Sequence, residues 1–442
     1  MDRVTDRTPS PAPAPASPLL APLLSPEGRA LLAELRDHDP AQELTVATRL
    51  RRDHPAELVS AVLAQARLRQ RAVAKFGAED AYRMYFTPNG VEQATRSTVA
   101  AYRAARFRRL APEARVTDLC CGIGGDAIEL ARAGFAVEAV DLDPLTCEIA
   151  RTNLRTLAPD APPATVTHAD VREYGLDGAH ALFIDPARRG GRGRIFDPEA
   201  YSPPLSWAVD AVRRVGAGAI KIAPGIPHEL VPDDFEAEWI SDGGDVKEAV
   251  LWHGGRQEHR ATQGAGAADA AGTADAAGPH RISPGARRAT LLPSGATLVG
   301  RGLPDPQVRT VGRYLYEPDG AVIRAHLVAE AAEELAGGLI DETIAYITAD
   351  TLRPTPYATA YEITDELPFN LKKLKALLRE REVGILTVKK RGSAVEPEEL
   401  RRRMKLKGRH AATVFLTRVA GAPAMLIGGP AETSESGHSI RV

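Results

Sequence analysis

Two short stretches, DLCCGIGGD at residues 118–126 and AVDLDP at residues 139–144, decide the fold of this chain. Together they read as a strand, a glycine-rich turn, a helix, a second strand and an acidic residue. The turn carries three glycines, Gly122, Gly124 and Gly125. Because glycine has no side chain, the backbone can turn sharply there and approach a ligand closely. Asp141 ends the second strand, where a carboxylate accepts hydrogen bonds from ribose hydroxyls. The pattern predicts a pocket for an adenosine-containing cofactor.

The glycine turn alone fits two cofactors, a dinucleotide such as NAD or S-adenosylmethionine. Its spacing is G-x-G-G, which departs from the G-x-G-x-x-G of dinucleotide sites. A further strand, residues 181–184, runs into Asp185 and Pro186. An acid-proline turn in this place is typical of methyltransferases and is absent from the dinucleotide fingerprint. Both features favour S-adenosylmethionine.

The segment from about residue 83 to residue 253 resembles class I S-adenosylmethionine-dependent methyltransferases. More narrowly, it is similar to a bacterial group with a C-terminal THUMP-like domain. The resemblance rests on the glycine turn with Asp118, on Asp141, on Asp170 in the sequence HADV, and on Asp185-Pro186. With the residues that follow two of these acids, the implied cofactor-binding set is Asp118, Cys120, Gly122, Gly124, Asp141, Leu142, Asp170 and Val171. Cys120 departs from the family, since many methyltransferases have their first glycine there.

The resemblance implies an α/β fold with a Rossmann-like, seven-stranded core. We expect a helical domain before this core and a small α/β THUMP-like domain after it. The sequence YFTP at residues 85–88 is similar to an entry segment in trimethylguanosine-synthase-like enzymes. Asp126 is placed to cap the helix after the glycine turn, as Ser25 and Asp143 are for two other helices.

Composition shifts along the chain predict six segments. We expect disorder over 1–24, a helical domain over 25–110, the methyltransferase core over 111–259, a flexible Ala/Gly-rich insertion over 260–288, a hairpin and helical connector over 289–364, and the THUMP-like domain over 365–442. The Pro/Ala/Ser-rich start and the insertion have too little apolar surface to fold. Within the connector, residues 320–349 read as helical.

The composition also bears on compartment and metals. Three cysteines without paired spacing, Cys120, Cys121 and Cys147, argue against a disulfide framework and a structural zinc site. The chain shows no apolar run of membrane-spanning length and no secretory signal at its start. We therefore expect a cytoplasmic protein without membrane partner or bound metal; the oligomeric state is left open.

Charge is distributed unevenly along the chain. Residues 371–418 hold fifteen Lys and Arg against five Glu, a local net of +10 in a chain whose formal net charge is −2. Such asymmetry favours a polyanionic partner, which we expect to be RNA, although a solvated charged face would look the same. The helix just before the core carries four arginines that could also touch nucleic acid: Arg103, Arg106, Arg108 and Arg109.

The predicted catalytic residues are Asp185, Pro186, Arg188 and Lys221. Asp185-Pro186 follows the fourth strand, where open α/β sheets place their ligands. A carboxylate and a proline-held carbonyl there accept hydrogen bonds from an exocyclic amine, and Arg188 begins a cationic loop suited to phosphate. Asp185, Lys221 and Glu248 together also resemble part of the set used for ribose 2′-oxygen methylation, although no lysine lies between Lys75 and Lys221 to complete it.

Three function classes remain open from the sequence. The leading prediction is an RNA methyltransferase that acts on a base nitrogen. The first alternative is a methyltransferase whose acceptor is a ribose oxygen, a small molecule or a protein. The second is an RNA-binding module that has lost catalysis, against which the intact acids of the site argue. Covalent pyrimidine chemistry is disfavoured, because the strand that ends in Lys221 and Ile222 is not followed by a cysteine.

Overall fold

The computed structural model describes residues 17–112, 115–187, 197–254 and 282–431. The described chain divides into two compact units, one made of residues up to 187 with 201–218, the other of residues 219–431 with a short stretch near 200. Each unit contains both helices and strands, so the predicted α/β class is confirmed. The predicted catalytic Arg188 and most of the expected insertion lie outside the described residues.

The first unit opens with helices, as predicted. They are α1 (Ala21–Leu24), α2 (Pro26–Glu34), α3 (Glu43–Leu50), α4 (Ala56–Ala81), α5 (Pro88–Gln93) and α6 (Ser97–Leu110). Ser25 caps α2 by accepting a hydrogen bond from the amide of Gly28 at 2.9 Å, which confirms that prediction. Residues 17–24, expected to be disordered, instead form a turn and α1. Leu20 and Leu23 are buried there, because the four leucines of this stretch supply the apolar surface that the Pro/Ala run before them lacks.

An alternation of strands and helices follows in the same unit. It comprises β1 (Arg115–Leu119), α7 (Gly125–Arg132), β2 (Ala136–Asp141), α8 (Pro144–Leu157), β3 (Ala164–His168), β4 (Ala181–Ile184) and α9 (Leu205–Val215). The four strands are parallel and lie in the order β3-β2-β1-β4. The chain runs outward from β1 to β3 on one side and then places β4 on the other side of β1, so strand order reverses between β1 and β4. Asp143 caps α8 by accepting a hydrogen bond from the amide of Thr146 at 2.7 Å, as predicted.

The second unit begins with a five-stranded group. Its members are β5 (Gly218–Ile222), β6 (Glu236–Asp242), β7 (Asp245–His253), β8 (Arg287–Leu292) and β9 (Ala296–Val299), in the order β5-β7-β6-β8-β9. The predicted hairpin around residues 293–295 is present as β8 and β9. We expected it in a connector, but β8 pairs with β6. The side chain of Arg288 reaches Glu236 at 2.7 Å and Thr290 reaches Glu238 at 2.6 Å, so buried polar contacts hold β8 in this group.

A seven-stranded sheet forms the rest of the second unit. Its elements are β10 (Tyr314–Pro318), α10 (Gly320–Arg324), α11 (Val328–Glu334), β11 (Gly338–Asp341), β12 (Ile344–Ala349), β13 (Ala358–Pro368), α12 (Leu371–Glu380), β14 (Val383–Lys390), α13 (Pro397–Met404), β15 (His410–Val419) and β16 (Ala422–Pro430). The order is β11-β12-β10-β13-β16-β15-β14. Helices α12 and α13 bury Leu374, Leu378 and Leu400 against the sheet.

The helical reading of residues 320–349 is wrong over its second half, where β11 and β12 stand. Nearly every residue of these strands is buried. A strand buried on both faces has no alternation of apolar and polar residues, so its sequence looks like a buried helix.

Candidate active site

The candidate site lies at the carboxyl ends of β1, β2 and β4 in the first unit. Leu119 at the end of β1 is level with Val140 of β2 and Ile184 of β4. The next residues of the three segments therefore meet at one edge of the sheet: Cys120, Asp141 and Asp185. Ligands of open α/β sheets bind in the crevice outside the strand ends, where strand order reverses.

The turn after β1 uses left-handed backbone at three of its positions. Cys120 has a φ of 64°, Gly122 of 54° and Gly124 of 86°. Such angles are uncommon for a residue with a side chain, which explains why glycine is usual where Cys120 stands. The predicted cap of α7 is wrong, because Gly124 occupies the N-cap position and no side chain caps the helix. Asp126 lies in the first turn instead.

Asp141 fastens the glycine turn to the end of β2. One oxygen, Oδ2, accepts a hydrogen bond from the amide of Gly122 at 2.9 Å, and Oδ1 accepts one from the amide of Asp143 at 3.0 Å. A carboxylate offers about four acceptor sites, so the two oxygens retain capacity for further donors. Leu142, the next residue, is 63% exposed and gives this edge an apolar surface.

Asp118 is fully buried, and neither carboxylate oxygen has a hydrogen-bond partner among the described residues. Burial raises the pKa of Asp118 well above its ordinary value, and the carboxylates of Asp126 and Asp185 raise it further. A buried carboxylate without hydrogen bonds is unfavourable. A ligand that brings a cationic N–H donor to this position would relieve that cost.

Arg103 of α6 supplies a positive charge inside this acidic group. Its guanidinium contacts the carboxylate of Asp126 and lies 4.4 Å from the ring centre of Phe183 on β4. Arg103 and Arg106 are almost completely buried, so the prediction that they could touch nucleic acid is wrong for both. They lie on the face of α6 that carries Val99 and Phe107, a position that the helical spacing could have revealed.

The YFTP segment is held against the glycine turn by Asn153 of α8, which is fully buried. Its Oδ1 accepts a hydrogen bond from the amide of Tyr85 at 2.8 Å. Its Nδ2 donates to the carbonyl of Tyr85 at 3.0 Å and to the carbonyl of Ile123, within the turn, at 3.1 Å. Gln65 of α4 binds the backbone of Phe86 in the same two-way manner. Sequence reasoning missed Asn153 and Gln65, although each is a polar residue on an apolar helix face.

Asp170 follows β3 and is held by a neighbour. Its oxygens accept hydrogen bonds from the guanidinium of Arg172 at 2.6 to 3.2 Å and from the amide of Arg172 at 2.9 Å. These bonds lower the pKa of Asp170 to about 2. Val171, next to it, is buried.

The Asp185-Pro186 turn leaves β4 beside the glycine turn. The amide of Asp185 donates to the carbonyl of Leu119 at 3.2 Å, which keeps the ends of β1 and β4 together. Two backbone hydrogen bonds, of 2.9 and 3.0 Å, then join Ala187 to Ser202. Asp185 is half-buried, so its carboxylate is not sealed in the core.

Lys221 and Glu248 belong to the second unit. Lys221, on β5, is 6% exposed, and Glu248, on β7, is 2% exposed. Buried ionisable groups of this kind are candidates for function as well as for structure.

Comparison with known proteins assigns the family. A family model described as a THUMP domain-like family matches residues 358–430, and one described as a domain of unknown function matches residues 18–72. An uncharacterized S-adenosylmethionine-dependent methyltransferase of Mycobacterium tuberculosis is 32% identical over 361 residues, 80% of this chain and 90% of that protein, in each of two strains. The chain belongs to the S-adenosylmethionine-dependent methyltransferases.

A solved structure agrees with this assignment at the level of the fold. A crystal structure of a presumed methyltransferase from Porphyromonas gingivalis has a TM-score of 0.72 at 20% identity and covers 94% of this chain and 98% of its own. The protein is thus an enzyme that uses S-adenosylmethionine and carries a THUMP-like domain at its C-terminal end.

The described ranges contain neither a membrane-spanning helix nor a cluster of metal ligands. Every helix within them is too short or too polar to span a bilayer. The same ranges contain no group of three or more His, Cys, Asp or Glu side chains arranged to hold a metal ion.

Proposed function

We propose that this methyltransferase methylates a nitrogen atom of a base in RNA. The observation that supports a base nitrogen most directly is the half-buried Asp185 beside Pro186, at the end of β4 and next to the glycine turn. The observations that favour RNA are the THUMP-like match and the basic residues that surround it.

The cofactor site proposed from the sequence fits the geometry of the first unit. When bound, S-adenosylmethionine supplies the methyl group. Asp141 keeps acceptor capacity for ribose hydroxyls beyond its bonds to Gly122 and Asp143. Asp118 has two buried oxygens without partners among the described residues, and these suit a cationic amine. The exposed Leu142 suits the face of an adenine ring.

Asp185 and Pro186 are proposed to hold the acceptor. A carboxylate and a backbone carbonyl are acceptors only, so they select a group that donates two N–H bonds, such as an exocyclic amine. Fixing both protons aims the nitrogen lone pair in one direction. Holding reacting groups in such an orientation supplies much of the acceleration of a displacement reaction.

The cysteines of this enzyme are unsuited to covalent attack on a pyrimidine. Burial raises the pKa of Cys120 and of Cys121 well above the ordinary thiol value, and that of Cys147 to about 11. A nucleophilic cysteine needs the thiolate form, which a lowered pKa provides. Direct attack by a nitrogen lone pair requires no such group.

The basic part of the THUMP-like domain is the proposed RNA contact. Some of its arginines are engaged, since Arg401 and Arg403 pair with Glu398 and Glu399. Arg402 is exposed on the same helix and forms no ion pair within the described part of the chain, and Lys372 is exposed on α12. These two side chains are the better candidates for phosphate contacts.

Nucleoside analysis tests the proposal. Total RNA from cells with and without the gene is digested, and its nucleosides are compared by mass spectrometry. We expect one base-methylated nucleoside to disappear with the gene. It should return with wild-type enzyme and with Asp210→Ala, an exposed acid on α9, but not with Asp185→Ala. Loss of a ribose-methylated nucleoside would refute the base-nitrogen assignment, and unchanged RNA would refute the RNA assignment.

The salt dependence of binding tests the RNA contact in the full chain. Replacing both Lys372 and Arg402 by Gln should weaken binding to all RNA sequences alike and lower the slope against salt by about 2, because each phosphate contact contributes about 1. Arg29→Gln, an exposed arginine of α2, is the matched control. Equal slopes in all three proteins would show that this face does not meet phosphates.

A further inference from the structure

Three aromatic rings form a column within the second unit. His228 stacks on Trp239 of β6, with ring centres 4.8 Å apart and planes 13° apart. On its other side, His228 stacks on His326 at 3.8 Å and 12°. Trp239 is fully buried, whereas His326 is exposed. The column thus begins in the core and ends at the surface.

His228 and Trp239 are fixed by hydrogen bonds. Trp239 donates through Nε1 to the carbonyl of Pro224 at 3.0 Å, which holds the loop after β5. His228 has its Nε2 2.8 Å from the carbonyl of Arg324, so this nitrogen donates, while Nδ1 is buried with no partner among the described residues. The ring under His326 therefore has a set orientation.

His326 occupies a position that normally favours glycine. It follows α10 with a φ of 57°, and the amide of Leu327 closes the helix end on the carbonyl of Val322 at 2.9 Å. Helices commonly end in this way with glycine in the left-handed position, since a side chain is strained there. A functional role for the imidazole would explain why histidine, and not glycine, occupies this strained position.

Two rings of the column, His228 and His326, line an open groove of about 470 Å³. Pro224, Ile226 and Ile323 give the groove apolar surface. Charged groups lie near both imidazoles. Glu229 and Arg287 face His228, and Arg287 and Asp305 face His326. Arg324, on α10, also lines the groove.

We infer that this groove binds an unpaired nucleobase of single-stranded RNA, stacked on His326. Unstacked RNA bases are held on aromatic side chains, histidine included. Two parallel contacts already extend the column toward the surface, so a planar base continues the same arrangement. The arginines suit the adjoining phosphate, and the carboxylates suit exocyclic amines of the base. The inference rests on the proposed function, because it assumes that RNA is the partner.

The two imidazoles are suited to a neutral stacking surface. Burial lowers the pKa of His228, and the neighbouring His326 and Arg287 lower it further. Burial and Arg287 likewise lower the pKa of His326. Both rings are then neutral near pH 7, so the column presents an uncharged aromatic face to a base.

Fluorescence of a labelled oligonucleotide tests the site in the full chain. The probe is a single-stranded decamer of RNA with 2-aminopurine, whose emission falls when it stacks. His326→Gly removes the ring and relieves the positive φ, so the variant should fold as well as the wild type. It should bind the decamer on the order of tenfold more weakly and lose the quenching. His326→Phe keeps a ring and should retain both.

The outcomes separate this inference from the proposed function. His180→Ala, an exposed histidine of the first unit, controls for histidine loss and should bind like the wild type. If wild type binds the decamer and His326→Gly binds it equally well, the stacking site is refuted while RNA remains the partner. If wild type binds no RNA at all, both proposals are refuted.

Discussion

Replacing Asn153 by Ala should both destabilise the enzyme and loosen its glycine turn. The amide of this residue makes three hydrogen bonds, to the backbone N–H and C=O of Tyr85 and to the C=O of Ile123. It is fully buried, so water cannot replace these bonds after truncation. The change therefore leaves three backbone groups unsatisfied, at the junction of the YFTP segment, α8 and the glycine turn.

The size of the effect follows from the number of bonds. An unsatisfied buried donor or acceptor costs about 1–3 kcal/mol. At the low end, three groups give about 3 kcal/mol. For a unit of this size, each kcal/mol lowers the unfolding midpoint by about 2–4 °C. Asn153→Ala should then unfold about 6–12 °C below the wild type, and its affinity for S-adenosylmethionine should fall, because Ile123 belongs to the cofactor turn.

Thermal melts followed by calorimetric titration of S-adenosylmethionine measure both effects. The matched control is Thr152→Ala on the same helix, whose hydroxyl donates, among the described residues, only to the carbonyl of Glu148 one turn earlier. It should melt within a degree or two of the wild type and bind the cofactor normally. If Asn153→Ala unfolded at the same temperature as Thr152→Ala, the reasoning that the Asn153 amide holds the glycine turn would be refuted.

Three further predictions concern charges. Asp141→Ala should weaken S-adenosylmethionine binding at least tenfold by calorimetry, since hydrogen bonds to a charged acceptor contribute about 1.5–3 kcal/mol; unchanged affinity would remove Asp141 from the site. Asp118→Asn should also bind the cofactor more weakly, yet melt no lower than wild type at pH 7, because it replaces a buried carboxylate whose pKa is raised; a lower midpoint would contradict this. Folding lowers the pKa values of His228 and His326. The stability that the two neutral imidazoles contribute is therefore complete above about pH 6.5, the ordinary histidine value. It is lost as the pH falls through the lower pKa values of the folded state. The thermal unfolding midpoint should therefore fall less between pH 7 and pH 5 in His326→Phe than in wild type. An equal fall would show that the stacked histidines do not cause the pH dependence.

Local signals predicted the glycine turn and the acidic strand ends of the first unit. These signals are the spacing of the glycines, the acidic residues at the strand ends, and the helix starts at Ser25 and Asp143, where a capping residue precedes a proline. Each depends only on neighbouring residues, and each is present in the structure. Cys120, which stands where many methyltransferases have glycine, adopts the left-handed φ that glycine would adopt.

Features that depend on distant contacts were not predictable in this way. Helical spacing places Arg103 on the apolar face of α6, but its contacts with Asp126 and Phe183 belong to other elements and cannot be read from that spacing. Asn153 reaches across to Tyr85 from another element. The strands β11 and β12 looked helical, because burial on both faces removes the alternation by which a strand is recognised.

The measurement that tests the central claim most directly is methyl transfer with purified enzyme. The full chain is incubated with methyl-labelled S-adenosylmethionine and RNA from cells that lack the gene, and the labelled product is digested to nucleosides. We predict label in a single base nucleoside, methylated on nitrogen, in wild type and not in Asp185→Ala. Label in ribose, in protein or in a small molecule, with none in RNA bases, would contradict the account.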